Sequence, residues 1–279
     1  LVYFTDIFAI LSSLKARLDQ RDISFKIYLH DYFSICPSYT LINAQGEYCG
    51  VPEYKVCVGC QKQLTLPHFF SSVDINKWRE EWGELYERAD KLICFSHSAI
   101  KITRRAYPKL DVKKFIVKPH SMSYFQPAVL PRYARGSGIH IGVVGSISSV
   151  AKGLNVVREL AGFLSQKQCQ VRLTVIGSVL GKKLSNVKYI GEYSISDLAG
   201  IIERSGVNII LFPSICPETF SYLVSELILL RAPIVCFAYG AQEEKVAKYK
   251  RGKISRSKDP EKLYNTIKEH YINIYGDEK

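Results

Sequence analysis

The sequence predicts an α/β fold of two domains built on parallel sheets, the first of them incomplete. Three observations lead there. From residue 139 onward, short apolar runs of strand length alternate with stretches of helical period. Several of those runs stop at a glycine or a proline. Residues 1–120 show the same alternation with fewer strands. Short apolar strands alternating with helices bury both faces of a sheet, which parallel sheets require.

The elements can be assigned in order. In the second part, Ile139–Val144, Gln170–Ile176, Val187–Ile190, Val207–Phe212 and Ile234–Phe237 read as strands. Asn155–Gln166, Ser196–Arg204 (capped by Ser194 or Ser196), Phe220–Leu230 and Pro260–Ile274 read as helices, the last with proline in its first turn. In the first part, Thr5–Leu18 and Asp74–Ala89 read as helices. Ser24–Leu29, Lys91–Phe95 and Lys114–Val117 read as strands. Tyr32–Thr65 reads as irregular, and Ser121–Gly138 as a linker. The expected division is therefore 1–120, a linker at 121–138, and 139–279. Only Leu1–Phe4 leaves room for a strand before Ser24–Leu29.

The 279 residues suffice for one large domain or two medium ones. At 47% hydrophobic and 23% charged residues, the composition is ordinary for a globular protein. No run reaches the roughly 18 apolar residues of a spanning helix. Leu1–Leu18 lacks the basic head and small-residue cleavage site of a secretory signal, and the chain opens on leucine. The expectation is an internal piece or a processed chain, part of a longer chain or assembly. The net charge of +12 attracts anions. Nine basic residues lie between Lys101 and Arg135 against Asp111 alone. That cluster reads as a solvated surface or as a peripheral contact with an anionic membrane. Nucleic acid is not expected, because no recognition-helix or single-strand-binding pattern occurs.

Three segments follow strand ends, where open parallel sheets place their ligands. The first is the loop from Gly145 and Ser146 to Lys152 and Gly153, a glycine turn with a cation leading into a helix. The second runs from Pro213 through Glu218, Thr219, Phe220 and Ser221 to Glu226. Its two carboxylates stand about 12 Å apart along a helix, a span that suits a nucleoside diphosphate sugar. A bare acidic pair near a helix start is equally what the helix dipole favours. The third is Pro233 to Gly240 and Ala241, a buried strand ending in a small-residue turn.

In this order and spacing, the three segments resemble the second domain of the large retaining glycosyltransferase family of the GT-B fold, family four. Glu218 and Glu226 match its paired glutamates, and Lys152-Gly153 its phosphate-binding loop. The stretch from Pro213 to Glu226 is similar to that of bacterial members that build surface polysaccharides. The resemblance spans about residues 24–275. It implies a GT-B-like fold of two Rossmann-like domains. It also implies transfer of a sugar from a nucleotide-sugar to a glycan or lipid-linked acceptor, retention of configuration, and no organic cofactor. By the same resemblance Lys152 meets the diphosphate, Glu218 the donor sugar and Glu226 the ribose. Gly145, Ser146, Gly153, Thr219, Phe220, Ser221 and Gly240 line the donor site. Ser146 stands where many relatives carry arginine, so another basic residue would have to take its place. His30, in the strand-end element His30-Asp31-Tyr32, resembles a sugar-binding histidine; capping the strand end is the structural alternative. Ser96-His97-Ser98 also follows a strand and is a weaker candidate.

Cys36, Cys49, Cys57 and Cys60 crowd into one irregular stretch. A Cys-x-x-Cys pair with two further cysteines fits a closed four-thiolate zinc site, structural because no ligand position is left open. Two disulfides or four free thiols fit as well. With no secretion signal, a reducing, cytoplasmic compartment is expected, at most peripheral to the inner membrane face. Cys94, Cys169, Cys216 and Cys236 read as small buried hydrophobes. Two readings of other classes stand beside transfer: a non-catalytic nucleotide- or sugar-binding module, and a zinc-bearing interaction module.

Overall fold

A computed structural model describes residues 7–64, 73–127, 129–133 and 138–276. The expected strand at Leu1–Phe4 and the basic residue Arg135 lie outside them. The chain divides into two compact units. Unit 1 is Leu1–His120 with Cys216–Phe220, and unit 2 is Ser121–Ile215 with Ser221–Lys279.

Unit 1 holds a three-stranded parallel sheet in the order β1-β2-β3, with β1 at Lys26–Tyr28, β2 at Lys91–Cys94 and β3 at Phe115–Val117. The helices are α1 (Ile7–Gln20), α2 (Tyr54–Gln61), α3 (Ile75–Arg88) and α4 (His97–Ala106). The sequence reading missed α2 and α4. Cysteines and glycine blur the period of α2, which buries only Gln61. In α4, Ser96 caps the helix by accepting from the Ala99 amide at 3.2 Å. The candidate Ser96-His97-Ser98 is thus a helix start, with His97 exposed.

Asp74 caps α3, accepting from the Asn76 and Lys77 amides. This helix then fastens the loop after β1. The Trp78 indole donates to the Phe33 carbonyl at 2.8 Å and Arg79 Nε to the Ile35 carbonyl at 3.0 Å. Tyr86 and Tyr107 donate to the side chain and carbonyl of Ser34. Trp78 is fully buried among aromatic neighbours, including Phe33 and the chain's other tryptophan, Trp82.

Unit 2 holds a six-stranded, all-parallel sheet in the order β6-β5-β4-β7-β8-β9. Its strands are β4 (His140–Val144), β5 (Arg172–Ile176), β6 (Lys188–Gly191), β7 (Ile209–Phe212), β8 (Ile234–Phe237) and β9 (Gly252–Ser255). Its helices are α5 (Leu154–Gln166), α6 (Leu198–Ser205), α7 (Tyr222–Leu229), α8 (Gly240–Val246) and α9 (Pro260–Tyr275). Strands β4, β7 and β8 are buried along their whole length, as sheets covered on both faces must be. The expected strands and helices of this part are present; β9 and α8 were not anticipated. Chain order runs outward from β4 in both directions, so the topological switch point lies between β4 and β7. Phe125 lies in the core of unit 2, and the Tyr133 hydroxyl donates to the Leu230 carbonyl at 3.0 Å. Described parts of the expected linker therefore pack as part of this unit.

Candidate functional site

At the switch point of unit 2 the turns after β4, β5 and β7 interlock. Gly177 has φ +133°, and a Cβ there would stand 2.1 Å from the Gly145 carbonyl oxygen. Gly153 has φ +85°, and a Cβ there would stand 2.2 Å from the Pro213 oxygen. Only glycine allows such contacts. The Ile215 amide and the Ser214 hydroxyl both donate to the Ala151 carbonyl, at 3.0 and 3.2 Å. The Ser146 hydroxyl accepts from Ser178 at 3.0 Å. Lys152 is exposed, and Gly153 opens α5 without a side-chain cap. The Leu154 amide that starts the helix donates back to the Ser149 carbonyl at 3.1 Å.

Helix α7 begins at Ser221, which holds φ +63°. Its hydroxyl is buried without a hydrogen-bond partner among the described residues. Lys245, from α8, donates to the Ser221 carbonyl at 3.2 Å and to the Ser225 hydroxyl at 2.5 Å. A cation thus stands at the α7 entrance. No linear motif announced it, because it arrives from the next helix. Glu226 is 7% exposed, and its Oε1 accepts from the Tyr124 hydroxyl at 2.5 Å. Burial pushes the Glu226 carboxyl above its usual range, and the Tyr124 bond pulls it partly back. The Tyr124 phenol is itself held protonated to high pH, first by desolvation and then by that carboxylate. Tyr124 was not foreseen as part of the site. Gly240 is buried with φ +56° at the start of α8.

In unit 1, the His30 ring is exposed at the end of β1 and lies among aromatics. Its centroid is 4.8 Å from Phe95, 5.8 Å from His120 and 6.3 Å from Tyr28. His120 stacks on Phe95 at 3.9 Å and meets Phe220 edge-on at 5.0 Å. The Thr219 hydroxyl donates to the His30 carbonyl at 2.7 Å, which fixes the backbone next to half-buried Glu218. Asp31 is used locally, accepting from the Phe33 amide at 2.8 Å. Of the proposed site residues, unit 1 therefore gathers His30, Thr219 and Phe220. Unit 2 interlocks the turns carrying Gly145, Ser146 and Gly153, and sets Ser221 and Glu226 on the first turns of α7.

Cys36, Cys49, Cys57 and Cys60 are half-buried, unbonded to one another, and all line one cavity of about 340 Å³. Arg79 Nη2 donates to the Cys57 sulfur at 3.3 Å. The Cys36 sulfur lies 3.4 Å from the Ser38 hydroxyl. The expected tetrahedral cluster is not formed. Among the described residues no three histidine, cysteine, aspartate or glutamate side chains are grouped closely enough to hold a metal. The Cys36, Cys49 and Cys57 sulfurs are engaged by Ser38, Arg79 and backbone groups.

No family model and no curated protein sequence matches the chain. Solved structures do match. HepE of Anabaena, in complex with UDP, aligns with a TM-score of 0.63 at 15% identity, over 96% of this chain and 68% of its own. WaaG, a glycosyltransferase involved in lipopolysaccharide biosynthesis, aligns at 0.55 and 13%, over 92% and 71%. The lipopolysaccharide outer core galactosyltransferase WaaB aligns at 0.54 and 13%, over 94% and 72%. The chain spans 66% of HepE in its complex with UDP and glucose, and 41% of TarM. What is shared is the fold, the GT-B-like α/β class with parallel sheets.

Proposed function

We propose that the chain acts as a glycosyltransferase, moving a sugar from a nucleotide-sugar donor to a glycan or lipid-linked acceptor in surface polysaccharide synthesis. One observation carries the reading. At the start of α7 a buried hydroxyl without a partner among the described residues, Ser221, stands with the Lys245 ammonium against its carbonyl. The buried Glu226 carboxylate follows about 7.5 Å along the helix. Helix N-terminus, hydroxyl and cation suit a diphosphate, and a carboxylate beyond them suits ribose hydroxyls. HepE, of the same fold, was solved with UDP and with UDP-glucose, which supports this donor class.

In this reading Lys152, with Gly145, Ser146 and Gly153, meets the diphosphate. Thr219, Phe220, Ser221 and Gly240 line the donor site, Glu218 holds the donor sugar, and His30 meets acceptor or donor sugar. The bond from the anomeric carbon to the diphosphate oxygen breaks. The acceptor hydroxyl forms the new carbon–oxygen bond, and its proton passes to a donor phosphate oxygen. Lys152, Lys245 and the helix ends stabilise the departing charge. Retention of configuration is taken from the likeness of the Glu218–Glu226 block to the retaining family.

Calorimetry with nucleoside diphosphates tests the donor assignment. Lys152→Ala and Glu226→Ala should each weaken binding by about 1–3 kcal/mol, the range for charge-assisted contacts. Unchanged affinity in both variants would sink it. One observation favours a second reading, binding without transfer: a serine hydroxyl, Ser146, accepting from Ser178, stands where many relatives carry arginine. Donor turnover by the wild-type chain separates the two.

We extend the proposal to a structural zinc drawn between Cys36, Cys49, Cys57 and Cys60, in a reducing, cytoplasmic setting. All four thiols line one cavity, and Arg79 already offers an N–H to one sulfur, as outer-shell donors to zinc thiolates do. Binding would require the sulfurs to draw inward from their present places. Elemental analysis should find close to one zinc per chain, lost in Cys57→Ser and on acidification. Metal near zero, with the thiols either all free or four missing, removes zinc from the account.

We propose a peripheral contact with an anionic membrane through unit 1. Lys101, Arg104, Lys109, Lys113 and Lys118 are exposed there, as are Val112 and Ile116. No helix among the described residues is long and apolar enough to cross a membrane. Flotation with vesicles rich in phosphatidylglycerol should carry the chain up at low salt and release it at high salt. Chain that stays at the bottom with such vesicles at low salt removes this contact.

A further inference from the structure

We infer that Tyr124 is a positioning residue, whose hydroxyl fixes one oxygen of Glu226 so that the other meets a ribose hydroxyl of the nucleotide. The inference rests on the donor-site reading above.

The geometry begins with a short turn. The Phe125 amide donates to the Met122 carbonyl at 3.0 Å, and the Phe125 ring, 6% exposed, is buried in the core of unit 2. That anchor delivers the preceding residue to α7. The Tyr124 ring is half exposed and tilts against Tyr222 at 6.3 Å. Tyr222 and Glu226 are four residues apart on α7, so they share a helix face. The Tyr124 hydroxyl reaches Glu226 Oε1 along that face. A carboxylate has about four acceptor sites. Here one is filled, and Oε2 accepts no hydrogen bond among the described residues. The remaining sites are left for water or a ligand to fill. Ribose hydroxyls would do so.

Protonation sharpens the argument. Burial raises the proton affinity of Glu226, and the Tyr124 bond lowers it. Removing that hydroxyl leaves burial unopposed, and a protonated carboxyl is a poorer acceptor. The proton and the ribose then compete as pH falls. The other groups near this carboxyl are Tyr193, which burial pushes up to about 12, and Tyr222. From α8, Lys245 is engaged by Ser221 and Ser225, and Glu244 pairs with Lys248 at 3.5 Å. Glu226 is thus the carboxyl at this spot whose proton affinity burial raises, and Glu226→Gln identifies it.

The experiment is calorimetry of the full chain with UDP, 2′-deoxy-UDP and 3′-deoxy-UDP between pH 5.5 and 8. Tyr124→Phe should bind UDP about five- to tenfold more weakly than wild type at the acid end and within about twofold at pH 8. At least one deoxy probe should be nearly insensitive to the substitution. The terminal phosphate of each probe titrates at about pH 6 whichever chain it meets, so the readout is the ratio to the matching Tyr124 chain. In the Glu226→Gln background Tyr124→Phe should add no pH dependence. The inference is overturned if Tyr124→Phe follows wild type at every pH, or if all three probes weaken equally. It is also overturned if the pH-dependent difference made by Tyr124→Phe survives in the Glu226→Gln background. A wild-type chain that binds UDP while any of these occurs leaves the donor site standing without Tyr124. A wild-type chain that binds no nucleoside diphosphate removes both.

Discussion

Glu218→Gln should lower sugar transfer about a hundredfold or more while leaving nucleotide affinity nearly unchanged. The expectation follows from where the two glutamates stand. Glu226 is buried in α7 of unit 2, with Lys245 bonded to Ser221 and Ser225 at the same helix entrance. Glu218 belongs to the short segment Cys216–Phe220 of unit 1, whose backbone Thr219 ties to the His30 carbonyl. A contact with the donor sugar strengthens as charge develops at the anomeric carbon, so its loss appears in turnover rather than in binding. Gln keeps the size of the side chain and removes its charge. Steady-state kinetics with a nucleotide-sugar, set beside calorimetry with the free nucleotide, would read both quantities. Full turnover with lost nucleotide affinity would mean that the two glutamates exchange roles.

Gly153→Ala should destabilise unit 2 by about 3 kcal/mol or more, since it combines overpacking with a left-handed backbone. The added methyl would stand 2.2 Å from the Pro213 oxygen, and neither backbone can yield without breaking the hydrogen bonds that Ala151 accepts. Gly162→Ala supplies the contrast. Gly162 is exposed within α5, and nothing lies within 4 Å of the methyl it would gain. That change should be neutral or stabilising by about 0.5–1 kcal/mol. Urea unfolding followed by far-ultraviolet circular dichroism measures both. A Gly153→Ala chain as stable as wild type would show that the turns after β4 and β7 are not interlocked as described.

The contrast between these sites marks what the sequence could convey. Strands β4, β5, β7 and β8 were legible because burial on both faces demands continuous apolar runs. Helix α9 was legible because Pro260 stands in its first turn. Strand β9, Gly-Lys-Ile-Ser, lies at the sheet edge, mostly half-buried, and needs no apolar run. Helix α8 has seven residues, too few to display a period. The hydrogen bonds completing the candidate site were hidden for another reason. Tyr124 reaches Glu226 across 102 positions, and Thr219 reaches His30 across 189. A local motif names a glutamate or a histidine, but packing alone selects its partner. In the cysteine stretch, spacing admits a tetrahedron, while side-chain and backbone hydrogen bonds hold the Cys36, Cys49 and Cys57 sulfurs along the cavity walls.

Both tryptophans of the chain, Trp78 and Trp82, sit on α3 of unit 1, one fully buried with its indole N–H donating to a carbonyl. Intrinsic fluorescence excited at the red edge of the absorption band would therefore report on that unit alone. Unit 2, without an indole, would melt silently in such an experiment. Its many tyrosines and its backbone dichroism are the signals that would reveal it. A transition seen by dichroism but absent from the indole emission would identify, without any labelling, which half of the chain had come apart.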